Sequence, residues 1–179
     1  MEIVHTARFD TPFGEMLAAS TERGFAYLQL PRASGRGLNG WLQRFAPRAS
    51  LEEAYAPNRS AIAQILEYLE GKRERFDLSL DLRGTEFTLS VYREVARIPY
   101  GETATYSEVA RALGHPKAYR AVGNANAGNP LSLVIPCHRV VAAGGRLGGY
   151  GGGLAMKRQL LVTERERPAA GDLLSDAGT

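Results

Sequence analysis

The chain has 179 residues, 44% of them hydrophobic, and a formal net charge of +3. That suits one large domain or two small ones with a core able to fold alone, and no apolar run approaches membrane-spanning length. The single cysteine, Cys137, excludes an internal disulfide and a thiolate-rich zinc site, while a sequence pI of about 9.2 permits nucleic-acid binding without demonstrating it and disfavours a basic partner.

In chain order, Met1-Glu2-Ile3-Val4-His5-Thr6 lacks the charged-then-apolar pattern of a signal peptide, so a cytoplasmic location is expected. Residues 2–8 read as a strand. Residues 16–21 and 25–30 read as two more, across the turn Glu22-Arg23-Gly24, and 31–40 as a loop rich in Gly and Arg. Asn58 is an expected N-cap. The helix it opens carries Ile62, Ile65, Leu66 and Leu69 on one stripe and ends at Gly71. Residues 76–80 alternate like a strand. Nothing in this half groups catalytic residue types, and it reads as a structural unit with a short antiparallel sheet.

The second half is mainly helical. Thr85 is placed to cap a helix with Phe87, Val91, Val95 and Ile98 on one face, stopped at Pro99-Tyr100-Gly101. A second helix starts near Tyr106 and breaks at Gly114-His115-Pro116, with Pro116 in the first turn of a third, 117–127. Two short helices joined by a Gly-containing turn signal a helix-turn-helix. The third helix has an apolar stripe, Ala118, Ala121, Val122 and Ala125, and a small or polar one, Arg120, Gly123, Asn124 and Ala127. The second stripe fits tight packing against a neighbouring helix and equally a close approach to the minor groove of DNA, about 6 Å wide, with Arg120 as its long probe.

Residues 133–135 read as a short buried strand that delivers Pro136, Cys137, His138 and Arg139. The nucleophile is a thiolate, and a free cysteine has a pKa near 8.5, so a base is needed; His138 is the available one, with Glu164, on a helix beginning near Leu154, as the candidate carboxylate behind it. Adjacent residues of a strand face opposite ways, so a water or a local bend has to connect Cys137 and His138. The glycine-rich stretch 144–153 is either a flexible loop or a surface that lets backbone approach a flat base.

Arg120-Ala121-Val122-Gly123-Asn124-Ala125, Gly128-Asn129-Pro130, Ile135-Pro136-Cys137-His138-Arg139-Val140-Val141 and Tyr150-Gly151-Gly152-Gly153-Leu154-Ala155 stand in order and at the spacing of a known family. Over residues 85 to about 166 the chain resembles the methylated-DNA–protein-cysteine methyltransferases, and Thr11-Pro12-Phe13-Gly14 is similar to their N-terminal part. The resemblance implies an α+β protein. Its N-terminal α/β domain (1–82) has a short antiparallel, ribonuclease-H-like sheet. A mainly helical DNA-binding and acceptor domain (83–168) contains the helix-turn-helix, and a mobile tail (169–179) follows.

The implied reaction is single-turnover transfer of an alkyl group from O6-alkylguanine, and O4-alkylthymine, to Cys137 after base flipping. His138 is then base through a water, Glu164 its partner, Tyr106 the donor to the base, and Asn129 the tie between recognition helix and acceptor. Arg120 replaces the flipped nucleotide, with Ala121, Gly123, Asn124 and Ala127 along the DNA. Pro136, Val140, Tyr150, Gly151 and Gly152 form the pocket. The implied partner is alkylated double-stranded DNA; a monomer is the default expectation, and with no cysteine in the first half neither the zinc of some members nor any other metal or cofactor is expected.

The chain departs from some members at Gly151, where they have serine, and at Ser132, where they have proline. Alkyltransferase-like binding proteins lack the acceptor cysteine that is present here. A transcription regulator would want a polar recognition helix, and a Cys-His hydrolase would leave the small-faced helix unexplained.

Overall fold

The β1–β2 hairpin is set by its turn. Thr11 Oγ1 donates to the Gly14 carbonyl at 2.6 Å and accepts from Phe13 N at 3.2 Å, and Gly14 takes φ +120°. β1 (Ile3–Thr11), β2 (Gly14–Thr21) and β3 (Gly24–Gln29) follow one another antiparallel. The structure, a computed structural model, describes residues 1–33 and 35–166. At the β2–β3 turn Gly24 has φ +139°, and a Cβ there would lie 2.3 Å from the Ser79 carbonyl oxygen, so only glycine fits.

Two elements escaped the sequence pattern. The loop expected over 31–40 gives way to helix α1 (Gly37–Phe45), and β4 (Ser50–Glu53) adds to the sheet parallel to β1, in the order β3-β2-β1-β4. The sheet is therefore mixed rather than purely antiparallel. β4 is too short and too exposed to show alternation. α1 packs Trp41 and Leu38 on one sheet face, against Val4, Ala19 and Ala26.

The other face meets α2 (Arg59–Leu69). Asn58 does not cap it. Fully buried, its side chain accepts from Ser20 Oγ at 2.8 Å and donates to the carbonyls of His5 and Ala54, joining strands to the helix start. Residues 76–80 run extended but form no strand. They pair with β3 through a single bridge, Phe25 with Leu80, with Phe25 N on Ser79 O at 2.8 Å.

Helix α3 (Glu86–Val95) begins as expected, Thr85 Oγ1 accepting from Thr88 N at 3.2 Å. Thr105 and Glu108 form a reciprocal capping box at the start of α4 (Tyr106–Ala112), just after the two-residue strand β5 (Ala104–Thr105). Gly114 (φ +77°) turns the chain, Pro116 lies in the turn rather than in the following helix, and α5 (Tyr119–Ala127) packs against α3 and α4. β6 (Val140–Val141) pairs parallel with β5, and α6 (Leu154–Glu166) completes the described chain.

One apolar core runs from Met16, Phe25 and Leu28 of the sheet through Ile62 and Ile65 to Val91, Val109, Val122 and Leu160 of α3 to α6. Among the described residues no helix is long and apolar enough to cross a membrane. The tail expected from 169 lies outside the described residues.

Candidate active site

The expected strand 133–135 is a turn. Leu133 takes φ +75°, and Ile135 N donates to Leu131 O at 2.8 Å. The chain then winds through one turn of 3₁₀ helix, Cys137–Arg139, so a local bend replaces the strand that would have faced Cys137 and His138 apart. Two asparagines hold this acceptor segment by its backbone. Asn129 Nδ2 donates to Ile135 O at 2.8 Å while its Oδ1 accepts from Leu131 N at 2.9 Å, and Asn126 Nδ2 donates to Cys137 O at 3.3 Å.

Cys137 is buried, its Sγ 3.7 Å from the Ser132 hydroxyl. Burial raises its thiol pKa, against the pull of the Asn129 side chain, the Ser132 hydroxyl and the Lys157 charge. Lys157, fully buried on α6, donates to Val140 O at 2.7 Å and Gly149 O at 3.1 Å, clamping α6 to β6 and the glycine-rich loop. Burial lowers its ammonium pKa to about 8.

His138 is inaccessible to solvent. Its Nε2 lies 2.8 Å from Glu164 Oε1 and 3.0 Å from the Tyr68 hydroxyl, and its buried Nδ1 has no hydrogen-bond partner among the described residues. Glu164 also accepts from Tyr68 (2.5 Å), from Arg139 Nη2 (2.9 Å) and from Gly101 N (3.2 Å). Burial pushes its carboxyl pKa up, but the His138 and Arg139 hydrogen bonds more than offset this and hold it at about 2. An ionised carboxylate facing Nε2 fixes the proton on that nitrogen and leaves Nδ1 the basic one. Burial lowers the His138 pKa despite Glu164, so at neutral pH the ring is uncharged.

A cavity of about 430 Å³ opens onto Cys137. Tyr106, Asn126, Ser132, Tyr150 and Gly151 line it, with Tyr27 and Leu28 of β3 and Leu30 just after it. Of the expected pocket residues, Tyr150 and Gly151 are there; Pro136, Val140 and Gly152 are not. Pro136 borders a separate cavity with Tyr100 and Arg139, Val140 pairs with Ala104, and Gly152 is wedged where a Cβ would lie 2.6 Å from Met156 Sδ.

Helix α5 runs along the cavity mouth. Val122 and Ala125 pack inward, while Arg120, Ala121, Asn124 and Ala127 are exposed. Ala121 thus leaves the apolar stripe expected of it, and the small stripe is open rather than buried against a neighbour. Gly123 is half-buried, a Cβ there facing the Tyr106 ring at 3.8 Å, and Arg120 lies over Tyr119. The sequence missed Tyr68, Asn126 and Lys157, and quoted Arg139 without a role. None of them had a local signal, because each acquires its partner from a distant segment. Among the described residues no three His, Cys, Asp or Glu converge as metal ligands.

The family model for the 6-O-methylguanine DNA methyltransferase DNA-binding domain matches residues 86–166. The methylated-DNA–protein-cysteine methyltransferase of Mycobacterium tuberculosis H37Rv is 44% identical over 137 residues, 70% of this chain and 83% of that one. The one from Methanosarcina barkeri is 41% identical over 155 residues, 87% and 93% of the two chains. In structure the chain is similar to the O6-methylguanine methyltransferase of M. tuberculosis, with a TM-score of 0.80 and 37% identity over 97% of this chain and 99% of that one. A thiol buried at the end of a cavity, a His–Glu pair behind it and relatives alike over nearly their whole length lead to one conclusion: this chain belongs to the methylated-DNA–protein-cysteine methyltransferase family.

Proposed function

We propose that this enzyme repairs DNA by taking an O6-alkylguanine out of the duplex into the cavity and moving its alkyl group irreversibly to Cys137, one lesion per protein molecule. The observation that carries this reading is a cavity onto which the buried Cys137 opens and along which the open, small-faced helix α5 runs, with the next residue, His138, holding a buried Nδ1 that has no partner among the described residues.

His138 Nδ1 takes the thiol proton through a water. The Cys137 thiolate attacks the alkyl carbon, and the carbon–O6 bond breaks with its electron pair passing to guanine. Tyr106 donates a proton to the leaving base, supplying general-acid assistance of about 10²–10⁴-fold. The product is a thioether, which none of these side chains is equipped to cleave.

α4 and α5 act as the helix-turn-helix, with α5 in the minor groove and Arg120 filling the gap in the stack. Ala121, Gly123, Asn124 and Ala127 let the helix come close. A M. tuberculosis relative, 37% identical, was crystallised in complex with DNA, which supports DNA as the partner. O4-alkylthymine presents the same alkyl–oxygen bond and belongs to the proposed substrate range. The proposal also takes the protein to be a cytoplasmic monomer, divided near residue 82 into a ribonuclease-H-like unit and an acceptor unit.

The test is an intact mass and peptide map after incubation with a duplex containing one O6-methylguanine. A gain of one methyl group on Cys137, saturating at one per protein, is expected. Repeated turnover, or no gain with no binding, overturns the reading.

A further inference from the structure

Tyr68 comes from the half of the chain in which no catalytic residue type was grouped, yet α2 carries its hydroxyl into the acceptor site. It is 3% exposed, donates to Glu164 Oε1 at 2.5 Å and stands 3.0 Å from His138 Nε2. Phe76 (ring centroids 5.3 Å apart) and Tyr100, edge-on at 6.3 Å, fix the ring. A phenylalanine would fill the same space, so the hydroxyl proton is what the tyrosine adds.

We propose that Tyr68 is a positioning residue of the transfer reaction: its proton, given to Glu164 Oε1, draws charge from the oxygen that His138 faces and so keeps the imidazole neutral, with Nδ1 free for the thiol proton. This rests on the reading of His138 as the base.

Oε1 is the shared acceptor of His138 Nε2, Tyr68 and Arg139 Nη2. Hydrogen bonds from a hydroxyl to a carboxylate are short and roughly twice as strong as neutral ones, so Tyr68, beside Arg139, draws charge from that oxygen. The other titratable or charged groups facing the pair are Arg139 and Cys137 on its own turn, Lys157 on α6, Tyr150 of the glycine-rich loop and Tyr100. Without the Tyr68 proton, Glu164 bonds His138 more strongly and favours the imidazolium, which cannot accept the thiol proton.

The experiment compares the full chain with Tyr68→Phe and with 3,5-difluorotyrosine placed at position 68, a stronger donor of nearly the same shape. Two readouts are taken: the NMR titration of the His138 imidazole, identified with His138→Gln, and the pH dependence of single-turnover methyl transfer from an O6-methylguanine duplex. In Tyr68→Phe the His138 midpoint and the acid limb of the rate move up by about half a pH unit, so transfer on that limb is roughly threefold slower. With difluorotyrosine both move down. Unchanged midpoints, or a rate lowered by the same factor at every pH, overturn the proposal. Should Tyr68→Phe fail to fold, the difluorotyrosine protein decides alone. Should no methyl group reach Cys137 in any protein, the functional reading falls while the His138 titration still decides the role of Tyr68.

Discussion

Among the described residues, two arginine–carboxylate clusters contain a buried carboxylate. In one, Arg83 bonds both oxygens of the buried Asp81, at 3.0 and 2.6 Å, pairs with Glu2 and donates to Phe45 O, while Thr21 donates to Asp81. In the other, Arg139 bonds Glu164 and the Ile98 carbonyl, and Glu164 holds His138. The first ties the segment leading out of the sheet to β1, β2 and α1. The second ends in a buried imidazole nitrogen with no partner among the described residues, beside the chain's sole thiol. Buried polar atoms are normally paired, so a closed cluster reads as structure and one left open at a nucleophile reads as chemistry.

The largest effect that tests this contrast is at the nucleophile. Cys137→Ser should abolish the methyl gain in an intact-mass assay while binding to a lesion-bearing duplex persists in a gel-shift titration.

Next come the two clusters themselves. Glu164→Gln leaves Arg139 without its counter-charge, and unfolding in urea should show a loss of about 3 kcal/mol. Single-turnover transfer by the molecules that remain folded should also fall, by about 10²-fold. Arg83→Met strands the buried Asp81 and should cost a similar ~3 kcal/mol, yet leave the rate per folded molecule unchanged. If both variants slow the chemistry equally, the contrast between the clusters fails.

The pH dependence of stability sharpens it. The Glu164 pKa drops from an ordinary 4.5 to about 2 on folding, so its contribution is present above 4.5 and is lost as pH falls from there toward 2. Thermal midpoints of the native protein should decline across that window, and Glu164→Gln should flatten that part of the curve.

The smallest effect is at Ser132, whose hydroxyl accepts from the thiol and, once the proton leaves, turns to donate to the thiolate. Ser132→Ala should raise the Cys137 pKa and slow its reaction with iodoacetamide near neutral pH roughly threefold. With one cysteine in the chain, the label reports that site alone.

Much of this was written in the order of residues. Thr85 and Thr105 fix helix starts through bonds three residues away. The α2 stripe sets the face it buries, and the motif around Cys137 with the Asn129 turn marks the acceptor, because each depends on neighbours in sequence. β4 and the true role of Asn58 were not legible, since each is stabilised by segments far along the chain, and the turn at Leu133 was hidden by an apolar run that reads as a strand.

The same holds at the site. The sequence by itself marked the candidate nucleophile, the imidazole next to it and the small-faced helix. Only the tertiary structure decided that Glu164, 26 residues on, meets His138, and that Tyr68, 70 residues before it, joins them. It also decided that Pro136, Val140 and Gly152 do not line the cavity. Periodicity and motif spacing report which face a residue takes locally. Which distant groups share one buried oxygen is fixed when the sheet, α2 and α6 close on a common core, and no local pattern encodes that closure.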